Sequence, residues 1–265
     1  MQHRILAAAA AAALAAAFLA PLPAAAQALG GADRDEPLAR FADPICPGVV
    51  GMKVEVAEAI VGRIRQNAQE LGLRLADPAS CDPNVIATFV ADGKDYITRL
   101  RARQGWMFVD MSERERKALF EAPGQVRTWA RTVVRSRDGM QVSRREGLAQ
   151  VPEAPMWSAH SKIYVATRRD YLAAMVLFDR AAADGLSVFQ LADYVTMRAL
   201  GGEAFRKLAP DRETILALFE NSQAAPRQLT AADRIYLSTL YESLPNLPAA
   251  LTLATAQKRV DELRE

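Results

Sequence analysis

The sequence predicts an α+β fold in which a mixed or antiparallel sheet is flanked by helices and the C-terminal part is helical. Strand patterns occur at residues 84–91 and 171–179, and a series of helical patterns follows from Ser187 onward. Strands followed by helices are typical of α+β domains. The composition, 51% apolar and 24% charged, suits a globular chain with a sizeable core.

Residues 1–26 have the three parts of a secretory signal peptide. A basic residue near the start is followed by an apolar run at 5–19 and by small residues that end at Ala26. A membrane anchor needs about 20 apolar residues, and Pro21 and Pro23 break the run too early. We therefore expect cleavage near Ala26, a periplasmic or secreted location, and no membrane span in the mature chain.

The remaining chain is predicted to have an arm and two lobes. Residues 27–40 are polar and contain glycines, which predicts a flexible N-terminal arm. A proline-rich stretch at 151–155 is the best boundary between an N-terminal lobe at 41–150 and a C-terminal lobe at 151–265. The sequence leaves open whether these lobes are one domain or two.

Cys46 and Cys81 are the only cysteines. In an oxidising compartment an isolated pair favours a disulfide, and both flanks have the proline-containing patterns of loops. The alternative, a redox or metal pair, lacks a Cys-x-x-Cys motif and a nearby histidine. We therefore predict a Cys46–Cys81 disulfide.

The individual elements follow from apolar periodicity and from turn residues. The first half predicts a helix at 54–71, a strand at 84–91, a helix at 95–103, an apolar run at 106–110 and, from the capping box Ser112–Glu115, a helix to Phe120. The second half predicts strands at 161–167 and 171–179 and helices at 187–201, 211–219, 230–241 and 248–265.

Two further strands, at 126–137 and 140–145, are predicted to form a hairpin through Asp138-Gly139, a dipeptide suited to a type I′ turn. Basic side chains share one face of the first strand, among them Arg127, Arg131 and Arg135. Such side chains commonly protect an edge or solvated face against pairing. The alternative is a surface that binds a phosphate, a polyanion or an acidic protein.

Three short motifs follow a central strand in the C-terminal half: LADYVTMRALG at 191–201, TILALF at 214–219 and LTAADRIYL at 229–237. In this order they resemble exported alphaproteobacterial proteins of unknown function. The layout is also distantly similar to zincin-like secreted proteins, in which a helix ending in Ala-Leu-Gly carries a His-Glu-x-x-His metal motif. This second resemblance implies a degenerate zincin-like fold.

The chain departs from that motif at its metal ligands. Tyr194 and Arg198 occupy the histidine positions and Val195 the glutamate position. Arginine does not ligate zinc usefully and valine cannot act as a base, so we predict no metal site. Because Tyr194 and Arg198 lie four residues apart, they share a helix face. They form either a polar binding site or, as the simpler alternative, a partly buried pair whose polar groups are already hydrogen-bonded.

The catalytic candidates are one histidine and three carboxylates. His160 is the only histidine after the leader, and no nucleophile elbow accompanies it. Asp92, Asp110 and Asp179 follow apolar runs, and carboxylates at strand ends can converge on a cleft. More often such residues cap a turn. Since no phosphate loop, dinucleotide fingerprint or calcium loop is present, we predict no cofactor.

The charge balance is nearly even, with 33 basic and 31 acidic side chains. It gives no general argument for nucleic acid, so any anionic ligand would need a local patch. These observations favour a non-catalytic binding or accessory protein of the cell envelope, which contacts an envelope protein or an anionic ligand. The alternative is a metal-independent hydrolase that uses carboxylates or His160.

Overall fold

The computed structural model describes residues 34–109, 111–121, 123–142, 164–206 and 213–264. Several sequence predictions lie outside these ranges: the leader, most of the arm, the boundary at 151–155, Asp110 and His160. In the described part of the chain, no helix is both long and apolar enough to cross a membrane.

A four-stranded mixed sheet forms the centre of the fold, which confirms the α+β class. Its strands are β1 (Pro47–Val50), β2 (Val85–Val90), β3 (Val126–Ser136) and β4 (Thr167–Asp179), in the spatial order β1-β2-β4-β3. The strands β1, β2 and β4 run parallel, and β3 pairs antiparallel with β4. Because β4 lies between β2 and β3, both predicted lobes contribute to one sheet.

Helices cover both faces of this sheet. They are α1 (Val54–Glu70), α2 (Gly93–Arg103), α3 (Glu113–Glu121), α4 (Val188–Arg206), α5 (Ala231–Glu242) and α6 (Ala249–Asp261). Side chains alternate along β4: Val176 and Phe178 join the main core with α1, α4, α5 and α6, whereas Met175 and Leu177 join a second cluster with α2 and α3. This two-sided burial explains why residues 171–178 of β4 form a continuous apolar run.

The predicted hairpin turn is present. Gln141 forms an antiparallel bridge to Arg135 across Asp138-Gly139, and residues 143–145 of the second predicted strand lie outside the described ranges. The long partner of β3 is β4, on the other side of Arg135, and this pairing was not predicted. The strand predicted at 171–179 is part of β4, which begins at Thr167, and residues 161–163 of the strand predicted before it lie outside the described ranges.

Two other predicted segments form 3-10 helices. The apolar run at 106–110 overlaps the 3-10 helix Gly105–Phe108. The helix expected at 211–219 is a 3-10 helix at Ile215–Phe219 in the part that is described. Helix α4 is interrupted at its predicted end, because Gly202 has a non-helical φ of 67° that suits glycine, and a Cβ there would lie 2.1 Å from the Tyr171 hydroxyl.

The Cys46–Cys81 disulfide is confirmed, with the two sulfur atoms 2.01 Å apart. It joins the residue before β1 to the loop before β2. Asn84 reinforces this joint, because its side chain accepts a hydrogen bond from Cys46 N and donates one to Pro44 O. The beginning of the edge strand β1 is therefore fixed covalently and by hydrogen bonds.

The end of the predicted arm is held against the body of the protein. Arg40 forms two backbone hydrogen bonds with β4: its N–H donates to Arg169 O, and its carbonyl accepts from Tyr171 N. This contact precedes the part of β4 that pairs with β2. Its guanidinium donates to the carbonyl groups of Leu240, Tyr241 and Ser243 at the C-terminal end of α5. Residues 34–40 thus have specific contacts that a flexible arm would lack.

Candidate functional site

Asp92 and Asp179 lie at the same edge of the sheet, where β2 and β4 end in register at Val90 and Asp179. Each carboxylate has a structural partner. Asp92 caps α2 by accepting a 2.8 Å hydrogen bond from Asp95 N, and Asp179 accepts one of 2.6 Å from Gly93 N. The two acids lie at one edge of the sheet, as their strand-end positions predict, but both carboxylates accept hydrogen bonds from backbone N–H groups in the first turn of α2.

Arg127 is buried beneath this edge. Its side chain is only 4% exposed and lies 3.8 Å from the Asp179 carboxylate. A Cβ at residue 93 would lie 2.5 Å from Asp179 Oδ1 and 2.9 Å from an Arg127 nitrogen, so glycine is required for this close approach. Arg127 therefore supports the α2 turn from inside and cannot touch a partner in this conformation.

Tyr194 is also buried, and α4 is closed around it. Its ring packs on Phe178 and Phe219, with centroids 5.9 and 4.7 Å away. Its hydroxyl accepts a 2.9 Å hydrogen bond from Arg198 Nε, and the Arg198 guanidinium also lies 5.1 Å from the ring centroid. Tyr194 and Arg198 therefore form a contacting pair in which the tyrosine faces the core rather than a cleft.

Another face of α4 carries a buried polar network that the sequence analysis did not find. The fully buried Asp193 carboxylate accepts hydrogen bonds from Arg63, from Asn67 and from the backbone of Leu229. The pairing with Asp193 raises the pKa of Arg63. An aspartate inside the apolar 191–201 segment was the available signal, because buried charges require such partners.

The half-buried Arg131 and the exposed Trp106 form a basic and aromatic pair on the α2 side of the sheet. The Arg131 guanidinium lies 5.0 Å from the indole centroid, within the range of a cation–π contact. Trp106 is 56% exposed although it is one of the largest apolar side chains. Unlike Arg127 on the same strand, Arg131 thus reaches the surface.

A groove runs along α2, the helix that ends three residues before Trp106 in the sequence. It has a volume of about 360 Å³ and is lined by Tyr96, Arg99, Leu100, Arg103 and Gln104. We call this groove, together with Trp106 and Arg131, the basic–aromatic surface. The segment 93–109, which contains α2 and Trp106, holds four lysine and arginine residues against one acidic residue, whereas the whole chain has a net charge of only +2.

Arg135, the last of the predicted basic residues on β3, lies in a different environment. Arg135 and Arg168 are directly opposite each other in the β3–β4 register. Arg168 donates a 3.0 Å hydrogen bond to Asp170 Oδ2, and an Arg135 guanidinium nitrogen forms an ion pair with the same oxygen at 3.4 Å. Asp170 is almost fully buried, and the exposed Asp43 approaches Arg135 to 3.9 Å. Arg168 was missed in the sequence because β3 was assigned a different partner strand.

Metal-ligating side chains do not cluster within the described ranges: no group of three or more His, Cys, Asp or Glu there could hold a metal ion. Comparison with known proteins gives no further assignment. No family model, no curated protein and no solved structure matches the chain. The functional proposal therefore rests on the residues themselves.

Proposed function

We infer that this protein is a non-catalytic binding protein of the cell envelope, periplasmic or secreted, which docks an acidic segment of a partner protein on the basic–aromatic surface. The contact between Arg131 and the exposed Trp106 is the observation that carries the proposal. Trp, Tyr and Arg are the residue types most enriched among interface residues that dominate binding energy. Tyr96, Arg99 and Arg103 of the adjacent groove belong to the same three types.

Charge favours an acidic partner. The excess of basic residues in segment 93–109 is local, which suits complementary docking better than general attraction to polyanions. The apolar area of Trp106 and of the exposed Val109 gives the partner's apolar side chains a place to pack. An acidic and apolar polypeptide segment satisfies both requirements, whereas a bare polyanion satisfies only the first.

The hydrolase alternative has less support. Asp92 caps a helix and Asp179 binds Gly93 N and approaches Arg127, so neither is placed as a general acid or base. The zincin-like origin also remains a proposal, and the packing of Tyr194 in the core is consistent with a scaffold of that type that has lost its metal site.

Fluorescence titration with poly-L-glutamate tests the proposal. We expect a saturable change in Trp106 emission, identified by its loss in Trp106→Phe, and weaker binding as salt rises because exposed charges are screened. The triple charge reversal Arg99→Glu, Arg103→Glu and Arg131→Glu should weaken binding by about tenfold or more.

The matched control reverses Lys53, Arg227 and Lys258, which are exposed and lie outside the basic–aromatic surface. This control should bind poly-L-glutamate like the wild type. Equal losses in the two triple variants would refute a specific surface. Binding to vesicles of anionic lipid without binding to poly-L-glutamate would replace the acidic polypeptide by a membrane and would overturn the proposal.

A further inference from the structure

Two rows of side chains on one face of α2 line the groove of the basic–aromatic surface. Tyr96 and Leu100 are half-buried and pack against the second apolar cluster, whereas Arg99 and Arg103 are exposed. The members of each pair are four residues apart, so they lie one above the other along the helix axis. The groove therefore has an apolar row beside a basic row, and both rows have helical spacing.

The groove is short and runs along the helix axis. Its lining residues extend from Tyr96 to Gln104, and all belong to α2 or to its C-cap. At a rise of 1.5 Å per residue this stretch spans about 12 Å, slightly more than two helical turns. A segment of a partner that lies along the groove is therefore contacted over about two turns of α2.

The backbone of α2 offers no pairing to an extended segment. Strand addition obtains its affinity from main-chain hydrogen bonds to an open sheet edge, whereas the backbone groups along α2 bond within the helix. An extended segment on the row of Tyr96 and Leu100 would lose water from backbone groups that gain no partner, which is costly. A helix makes these bonds internally. The groove therefore favours a helical segment.

The charges of the groove define the pattern of that helix. Arg99 forms a 3.1 Å ion pair with Asp95, and both side chains are more than half exposed. Such a pair contributes little stability, so Arg99 can exchange it for a carboxylate of the partner. A helix with apolar residues four apart has a row of the same spacing as Tyr96 and Leu100. Acidic residues four apart beside that row then meet Arg99 and Arg103.

We propose that the segment docked in this groove is an acidic amphipathic helix of the partner protein. Its apolar row packs on Tyr96 and Leu100, and its adjacent row of Asp or Glu faces Arg99 and Arg103. This inference rests on the proposed function, because it specifies the acidic segment that the basic–aromatic surface docks. An extended acidic segment would satisfy the proposed function but not this inference.

Short peptides of identical composition, built from leucine, glutamate and alanine, test the inference on the wild-type protein. In one peptide the leucine and glutamate rows repeat at helical spacing, and in the other these residues alternate as in a strand. From the change in Trp106 emission, we expect the helical pattern to bind about tenfold more tightly or better. Circular dichroism should show a gain of helix on binding. A proline at the centre of the helical pattern should weaken binding by about tenfold.

Two arginine variants of α2 form a matched pair. Arg103 lines the groove, whereas the guanidinium of Arg101 lies 4.9 Å from the centroid of the Phe120 ring of α3 and outside the groove. Arg103→Ala should weaken binding of the helical peptide by about threefold or more. Arg101→Ala should bind this peptide like the wild type.

The outcomes separate this inference from the proposed function. Failure of the helical peptide to bind, or equal or tighter binding of the alternating peptide, would overturn the helical segment. Equal losses in Arg103→Ala and Arg101→Ala would place the peptide outside the groove and would overturn it as well. In each case the proposed function stands if poly-L-glutamate binds the basic–aromatic surface. If poly-L-glutamate also fails to bind, the proposed function itself is refuted.

Discussion

Arg63 and Asp193 form a two-point ion pair that joins α1 to α4, with distances of 2.8 Å from Nε to Oδ1 and 2.9 Å from the second guanidinium nitrogen to Oδ2. The carboxylate is fully buried, and the guanidinium also lies 5.3 Å from the centroid of the Phe189 ring. This pair and its hydrogen bonds to Asn67 and Leu229 fix α4 between the sheet and the surrounding helices.

Replacement of Asp193 by alanine should be strongly destabilising. It leaves Arg63, Asn67 and the Leu229 backbone without their shared acceptor, and breaking a buried pair in this way costs about 3–5 kcal/mol. Urea unfolding measures the loss. Glu70→Gln is the control, because the Arg234–Glu70 pair is partly exposed and should contribute less than about 1 kcal/mol. Similar losses in both variants would contradict the role of the Asp193 network.

Asp92 is expected to act as a helix cap. Asp92→Ala should lower the free energy of unfolding by about 1 kcal/mol, since α2 loses the acceptor for Asp95 N. Thermal unfolding measures the change. Asp95→Ala is the matched control, because it removes only an exposed pair with Arg99 and should cost a few tenths of that amount. Unchanged stability of Asp92→Ala would show that the carboxylate has another role.

Asp233 should make the free energy of unfolding depend on pH. Burial raises the pKa of this carboxyl group, although Thr214, Ile215 and Thr230 donate hydrogen bonds to it. Between the ordinary pKa of about 3.9 and the raised folded value, the native state therefore binds more protons than the unfolded state. The contribution of Asp233 is largest below this window and falls as pH rises through it.

Denaturant unfolding of the wild type and of Asp233→Asn at several pH values isolates this contribution. The free-energy advantage of the wild type over the variant should decrease as pH rises from the ordinary aspartate range through the folded pKa. A difference that increases with pH over this range would mean that the hydrogen bonds, rather than burial, control the titration of Asp233.

The disulfide should stabilise the fold mainly by constraining the unfolded chain. Cys46 and Cys81 are separated by 35 residues, and closing a loop of this length contributes about 4 kcal/mol in the chain-entropy model. The double variant Cys46→Ser and Cys81→Ser should lose that amount in urea unfolding. Reduction of the wild type by dithiothreitol should give the same loss, and an unchanged unfolding midpoint would contradict the prediction.

Local sequence signals located most of the helices but not the strand pairing. Apolar periodicity placed α1, and Thr230 marked the start of α5, where the structure shows a capping box with Asp233. These signals act within a few residues. The pairing of β3 with β4 instead joins segments about 40 residues apart, whereas the Asp138-Gly139 turn signal indicates only the local bridge from Arg135 to Gln141.

The same limit applies to the candidate sites. The alternation on β3 was visible, yet it could not show that Arg127 is buried, that Arg131 lies on Trp106, or that Arg135 meets Arg168. Each outcome depends on an element distant in sequence. The ends of β2 and β4 did bring Asp92 and Asp179 to one edge, as strand-end positions predict, but helix capping and backbone hydrogen bonds define their roles.

The basic–aromatic surface is proposed to dock an acidic partner protein. Photo-cross-linking from an unnatural amino acid at Gln104, in cells that produce the protein, tests this most directly, with Lys258 as the control position. We predict a discrete adduct with an acidic protein from position 104, absent from position 258 and lost with the Arg99, Arg103 and Arg131 charge reversals. Identical products from both positions, or an adduct that survives those reversals, would contradict the claim.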